Sequence, residues 1–331
     1  MTTLNLTLAD YAAEPNALVA GVAKSLTEES RFMDILPFAD VGTMSVMIYR
    51  EGGMPSVSWR NLGASHGSAL ATKPIELTEN AFSVGNEIDV DKAYMKDKSA
   101  RLVNPMTYQT KMITRAIARN FNNAAINGLP SDQKSPVGLW YRCKTDLAAS
   151  QNVLAKTSGL DISPDATTLS ANGQAMIDKL DELLYSITGS LDAGGNNIYL
   201  ACNDTLMMRI NSIFRQSGLL DSTKDSLGRI FTTYKGAKFI DMGLKYDDTN
   251  RIIGNVELAD GSAIVGGAST SIYAFKTGKE DFTAWQEYAL EVSAPELQAD
   301  KVTYKSVIDW MVGLAISNPR SVARLYGIIA A

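Results

Sequence analysis

The chain has 331 residues, 45% of them hydrophobic and 20% charged, and a formal net charge of −5. This composition supports a globular protein with a sizeable core. Its acidic balance argues against a nucleic-acid binder that works through a basic surface, because phosphate contacts need clustered Lys and Arg; no run of about 18 apolar residues is present to cross a membrane, and MTTLNLTLADYAAEPN lacks the basic-then-apolar pattern of a signal peptide.

In chain order, a helix is expected over Ala17–Lys24, followed by ESRFMDILPFADV as an extended arm anchored by Phe32, Ile35, Leu36 and Phe38. The arm has too little apolar surface to fold alone and must lie on something else. In TMSVMIYR, Met44, Val46 and Ile48 alternate with Ser45, Met47 and Tyr49, the period of a half-buried strand. Its expected counterpart is AFSVGNEIDV, with Phe82, Val84, Ile88 and Val90 inward. Between them, EGGMPSVSWRNLGASHGSALATKPIELTEN is about thirty residues of Gly- and Ser-rich chain, a length that is usually functional inside a compact domain. The two flanking strands predict a long, projecting hairpin.

NPMTYQTKMITRAIARNFNNAAING reads as a helix about 35 Å long. Asn104 suits its N-cap and Pro105 its first position, Ile113, Ile117, Phe121 and Ala124 share one face, and Gly128 stops it. Lys111, Arg115 and Arg119 lie on the other face, open to solvent, a second subunit or nucleic acid. A second helix is expected over Asn172–Ile187, with Met176, Leu180, Leu183, Leu184 and Ile187 inward and Gly189 closing it. NNIYLACN is a buried strand, and Asn203-Asp204 caps a helix bearing Leu206, Ile210, Ile213 and Phe214 that ends at Gly218. GRIFTTY, AKFIDMG, RIIGNV, SAIVGG and SIYAF are short β segments. EYALEVSAPELQADKVTYKSVIDWMVGLAIS is a long β region broken at Asn318-Pro319, and SVARLYGI returns as a last strand, since Pro cannot continue a central ladder.

Chemistry is scarce in these elements. The lone histidine, His66, sits in a Gly/Ser-rich loop with nothing apolar to shape a pocket, so triads and metal-hydroxide mechanisms lack their usual base and ligand. Cys143 and Cys202 fit no zinc spacing and read as free thiols. Neither a Walker-type loop nor a G-x-G-x-x-G is present, and IVGGAST has glycines without a following helix or lysine. Asp89 and Asp91 lack the Gly and closing Glu of a calcium loop, and KYDDTN reads as a polar turn. No pair of carboxylates is singled out for glycosidase-type chemistry. Neither a catalytic residue nor a cofactor or metal is expected.

Several strings, in their order, resemble the major capsid protein family of tailed bacteriophages, with the Hong Kong 97 fold. AAINGLPSDQKSPVGLW resembles that family's passage out of its long spine helix, and NNIYLACNDTLMMRINSIFRQSG its strand-then-capped-helix unit. YKGAKFIDMG resembles the strand that enters the central sheet, and WMVGLAISNPRSVARLYGI the final strand and its Pro break. The resemblance implies an α+β fold with an N-terminal arm (1–42), an E-loop hairpin with its flanking strands (43–90), a peripheral domain (91–130 and 281–318, spine helix 104–127) and an axial domain (131–280 and 319–331). It departs from the family after the Pro, where Arg320, Ser321 and Val322 stand in place of Ala and an aromatic, and the short arm makes a cleaved scaffolding segment unexpected.

What the resemblance implies about function is a shell subunit that assembles with itself as hexamers and pentamers into an icosahedral head. Such a head encloses double-stranded DNA without sequence-specific binding, is built in the bacterial host cytoplasm, and works with a portal and a scaffolding or decoration protein; no membrane is involved. The expected inter-subunit contacts are Arg50, Glu51, Met54, Trp59, Arg60 and Lys73 on the hairpin and Lys111, Arg115 and Arg119 on the spine helix. Trp310, Pro319, Arg320 and Arg324 are the expected tie between domains. An encapsulin-type compartment shares the fold and stays open, as does, more remotely, a soluble enzyme.

Overall fold

The computed structural model describes residues 29–50, 57, 59–65, 74–96, 105–188, 197–224, 230–255 and 269–330. The expected helix at 17–24, Glu51, Met54, His66, Lys73, Asn104, Gly189, SAIVGG and most of IVGGAST lie outside these residues. In chain order the first elements are α1 (Arg31–Ile35), β1 (Phe38–Asp40), β2 (Ser45–Arg50), β3 (Ile75–Asn80), β4 (Phe82–Asp91), α2 (Lys92–Lys96) and the long spine helix α3 (Pro105–Asn127). After a tight turn at 139–146 come β5 (Asn152–Leu154), β6 (Leu160–Asp161), α4 (Ala166–Thr188), β7 (Ile198–Cys202) and α5 (Asp204–Ser217). The remainder is β8 (Asp221–Lys224), β9 (Ile230–Tyr234), β10 (Ala237–Asp241), β11 (Thr270–Lys276), β12 (Phe282–Val292), β13 (Glu296–Leu297), β14 (Thr303–Ile316) and β15 (Val322–Ile329).

β14 is the hub of the first sheet. It pairs with β12 and β13 along one side and with β4 along the other, while β1 joins β12 in parallel. The spine helix lies on this sheet through Ile117, Phe121 and Ala125, all buried. Phe121 stacks 5.5 Å from Trp310 of β14 and 6.0 Å from Phe38 of β1, and Phe38 lies 5.4 Å from Trp310. The fully buried Trp310 donates its indole N–H to Gln286 Oε1 at 2.8 Å, and Gln286 donates to Asp40 Oδ1 at 2.6 Å. A buried indole needs such a partner. The helix stops at Gly128 because the chain returns against it. A Cβ on Gly128 would meet Pro136 O at 2.0 Å, and Gly138 N–H donates to Gly128 O at 2.9 Å.

The second sheet runs β5-β15-β11-β7-β10-β9-β8, with β6 also on β15. β7 is buried throughout, as expected of an inner strand covered on both faces. One face packs Leu200, Phe239 and Ile272 against Met176, Leu180 and Leu184 of α4 and Ile210 and Phe214 of α5. Asn203 caps α5 by accepting from Leu206 N–H at 2.8 Å, and Gly218 ends it in the left-handed region at φ 69°. The opposite face shares a core with the first sheet: Phe275 of β11 meets Phe32 and Phe282 edge to face, at 5.6 and 5.5 Å between ring centres.

Several expectations need correction. The arm is not wholly extended: Ser30 Oγ accepts from Met33 N–H at 3.2 Å and caps α1, which buries Phe32 and Met33 while Ile35 stays half-buried. β2 pairs with β3, from Ser45↔Asn80 to Arg50↔Ile75, and not with β4. β3 is IELTEN, mostly polar, and so reads as loop. β4 instead runs its whole length along β14, from Phe82↔Val312 to Asp91↔Thr303. α4 starts at Ala166 rather than Asn172, its first turns being too polar to betray a face. The described part of RIIGNV, 251–255, is not a strand: among these residues only Arg251 forms a bridge, with Leu244, and Ile252 and Ile253 are buried from a bend. KYDDTN, by contrast, is the polar turn expected, tied by Asp247 Oδ1 accepting from Thr249 and Asn250 N–H at 3.1 and 3.0 Å.

Trp310→Ala is expected to lower the unfolding free energy by about 3–5 kcal/mol through cavity formation, whereas Trp59→Ala changes it by less than about 0.5 kcal/mol. Urea unfolding followed by circular dichroism checks this, and equal midpoints for the two variants contradict the packing described.

Candidate functional site

The described residues contain no group of three or more His, Cys, Asp or Glu that could hold a metal, and both cysteines are free and buried. Burial and the nearby carboxylates of Asp241 and Asp204 push the Cys202 thiol far up, which keeps it protonated and inert. What the fold does present is a projecting hairpin with a charged root.

β2 places Val46, Ile48 and Arg50 on one face by its period of two, and β3 does the same with Ile75, Leu77 and Glu79. Ile48 packs on Trp285 of β12 and Ala315 of β14, which seats the hairpin base on the first sheet. Arg50, expected at a subunit contact, is buried within its own chain. Its Nε donates to Ile316 O at 2.9 Å. Burial, then the neighbouring Arg142 guanidinium, lowers its pKa. Arg142 forks onto Glu79, with Nη1 on Oε1 at 2.5 Å and Nη2 on Oε2 at 2.8 Å, and its Nε donates to Val137 O at 2.9 Å. It opens a π-helical turn, Arg142–Asp146. Burial raises the pKa of Asp146 against the pull of both arginines. Two guanidiniums and two carboxylates thus meet around a cleft of about 340 Å³ that Leu147 and Pro319 also line.

The hairpin's outward features lie beyond this root. Trp59 and Leu62 are fully exposed and Val57 nearly so, while Met47, Tyr49 and Ile75 are exposed along its strands. Arg60 donates to Ala64 O at 2.9 Å and shapes the loop. Val57, Trp59 and Leu62 together expose apolar surface of the kind found where proteins contact one another.

Of the three cations expected on the spine helix, Lys111 is exposed and Arg115 and Arg119 are half-buried. Arg115 and Arg119 both reach Glu29, at 2.9 Å each, so they clip the chain just before α1 to the helix. Arg119 also pairs with Asp248, whose hydrogen bond is the main cause of its raised pKa. Trp310 and Arg324 are fully buried. Arg324 Nε donates to Ser271 Oγ at 3.2 Å, and its guanidinium lies over the rings of Tyr326, Tyr273 and Trp140 at 4.9, 5.8 and 6.0 Å. Trp140 follows the spine helix, so Arg324 joins the second sheet to the end of that helix. Pro319 opens a short 3-10 turn capped by Asn318, whose Nδ2 donates to Asp281 Oδ1 at 3.2 Å; Arg320 is exposed.

Sequence reasoning missed Glu29, Glu79, Arg142 and Asp248. Glu79 shares a strand face with Ile75 and Leu77, but IELTEN is too polar to be read as a strand, so no local signal marked its carboxylate as inward.

Neither a protein-family model nor a curated protein matches the chain. Solved structures do. The holo-SrpI encapsulin complex of Synechococcus elongatus PCC 7942 is 14% identical with a TM-score of 0.59, covering 92% of this chain and 89% of that one. The capsid of the empty GTA particle is 15% identical with a TM-score of 0.58, covering 91% and 90%. The capsid of Cyanophage P-SCSP1u is 14% identical with a TM-score of 0.55, covering 90% and 88%. At such identities the likeness is one of fold: the chain has the Hong Kong 97-like capsid fold.

Arg142→Met leaves Glu79 buried without its partner and should cost about 3–5 kcal/mol, most of it recovered when Glu79→Leu is added. A double-mutant cycle by thermal and urea unfolding checks this; an undiminished midpoint in the single variant contradicts the root described.

Proposed function

We infer that the chain is the subunit of a closed protein shell, and specifically the major capsid protein of a tailed-phage head. The observation that carries this reading is the fully exposed tip, with Trp59 and Leu62, on a fold that follows capsid chains over nine-tenths of its length. In this reading copies form hexamers and pentamers around double-stranded DNA, and no catalytic step is involved. The spine helix and first sheet form the peripheral domain, the second sheet with α4 and α5 the axial domain, and 319–331 ties them. The tip lies over a neighbouring copy, with Trp59 as an anchor of the kind that dominates protein contacts. An acidic chain suits a container whose DNA is enclosed without sequence-specific contacts. Assembly takes place in the host cytoplasm, with a portal and a scaffolding or decoration protein.

A second reading, an encapsulin-type compartment, is favoured by the equally extensive likeness to the Synechococcus encapsulin. The two differ in cargo.

Electron microscopy of the purified protein should show closed icosahedral particles, and particles from infected cells should hold nuclease-protected DNA. Shells that hold enzyme cargo point to the compartment, and a monodisperse monomer contradicts both readings. Trp59→Ala should leave the subunit's melting unchanged yet lower shell yield or denaturant resistance at least tenfold, since each copy loses an anchor worth about 2 kcal/mol; unaltered particles contradict the role given to Trp59.

A further inference from the structure

The root of the hairpin holds a donor that its own chain leaves unused. Arg50 is only 7% exposed, and its Nε donates to Ile316 O at 2.9 Å. Its Nη2 is buried and has no hydrogen-bond partner among the described residues. A buried donor without an acceptor is costly, so this position calls for one. Neither carboxylate of the root supplies it. Glu79 is taken by the fork of Arg142, and Asp146 acts on Arg50 through its charge, with no hydrogen bond between them. Arg142 still has a second N–H on each of Nη1 and Nη2, and it lies near enough to Arg50 for the two cations to disfavour one another. Both line the cleft of about 340 Å³, beside Leu77, Leu147 and Pro319. Such a volume, with a few polar groups converging between apolar walls, is that of a small-ligand site.

We propose that this cleft binds a phosphate group, held between the guanidiniums of Arg50 and Arg142. Guanidiniums pair with phosphate oxygens two N–H groups at a time. The oxygens of a tetrahedral anion diverge, so one phosphate accepts from two guanidiniums, whereas the planar carboxylate of Glu79 is already matched to one. The anion supplies the acceptor that Arg50 lacks and sits between two like charges that otherwise repel. Asp146, on the wall of the same cleft, opposes it and limits its affinity. Arg50 comes from β2, Leu77 from β3, and Arg142 from the turn after the spine helix, so a bound phosphate braces the hairpin root against that turn. Every residue named belongs to one copy of the chain, and the inference does not rest on the shell reading. Free phosphate and the phosphate of a nucleotide share this chemistry, and the test separates them.

Calorimetric titration of the full-chain subunit with inorganic phosphate, in chloride buffer of constant ionic strength, should give a Kd at or below about 1 mM. The melting temperature should rise as phosphate is added, since only the folded chain presents the site. A second arm uses adenosine monophosphate. Binding at least tenfold weaker than that of inorganic phosphate identifies the ligand as the free anion, and equal or tighter binding identifies a phosphate carried on a larger molecule. Binding of neither up to about 20 mM overturns the proposal. Arg50→Met keeps the bulk of the buried stem and should weaken phosphate binding at least tenfold; parental affinity in that variant overturns the assignment. Asp146→Asn removes the opposing charge and none of the donors, and should tighten binding at least threefold. This second variant decides alone where Arg50→Met does not fold, because an unchanged or weakened affinity places the anion outside the cleft.

Discussion

Three aromatic rings, from Phe38, Phe121 and Trp310, meet within 5.4 to 6.0 Å of one another, although they come from the two ends and the middle of the chain. Everything else takes its position from this contact. It presses the spine helix on the first sheet, and through Gln286 and Asp40 it fixes β1 beside β12. β12 and β14 in turn supply Trp285 and Ala315, on which the base of the hairpin sits. Phe32, two turns of chain before Phe38, carries the same packing into the second sheet through Phe275. The two sheets therefore share one continuous core, and a displacement of the helix would be felt at the hairpin root.

Several arginines are placed inside the fold rather than on its surface. Arg50, Arg142 and Arg324 are buried, and Arg119 is largely so. The planar, multi-donor heads of Arg142 and Arg119 each bind two partners at once, which suits a guanidinium better than an ammonium. Each joins elements distant in sequence: Arg142 with Glu79, Arg119 with Glu29 and Asp248, Arg324 with Ser271 and the ring of Trp140. Removing one partner of such a pair leaves a buried charge, so these arginines specify the arrangement even where they add little net stability.

Most of the architecture could be read from periodicity and punctuation. The spine helix, the capped α5 and the buried β7 carry strong local signals, and their bounds fell within a residue or two of expectation. The failures have a common cause. β3 and the first turns of α4 are polar segments whose structure is imposed by neighbours, and local pattern does not record that. The partner of β2 was misassigned because β4 has the same alternation, and only the length of β14 decides where it pairs. Of the site, the exposed tip was legible because an apolar Trp59 in a Gly-rich loop has no core to enter. Arg50, Arg115 and Arg119 were visible as candidates for contacts between copies but not as internal ties, and Arg142 was missed, since which cations face inward depends on contacts such as Glu29 to Arg119 that no spacing reveals.

The pairing of β4 with β14, and of β1 with β12, also sets an order of events. Phe82 must wait for Val312, and Phe38 for Ala284. At ribosomal rates that delay is on the order of ten to fifty seconds, during which the N-terminal strands have no sheet to join. Contacts of such long sequence separation also slow the folding step itself. The second sheet's β7–α5–β10 unit has local partners and can form first. The nascent chain thus carries two unpaired strands and an apolar hairpin through most of its synthesis. That waiting time is when chaperones matter and when wrong partners are met.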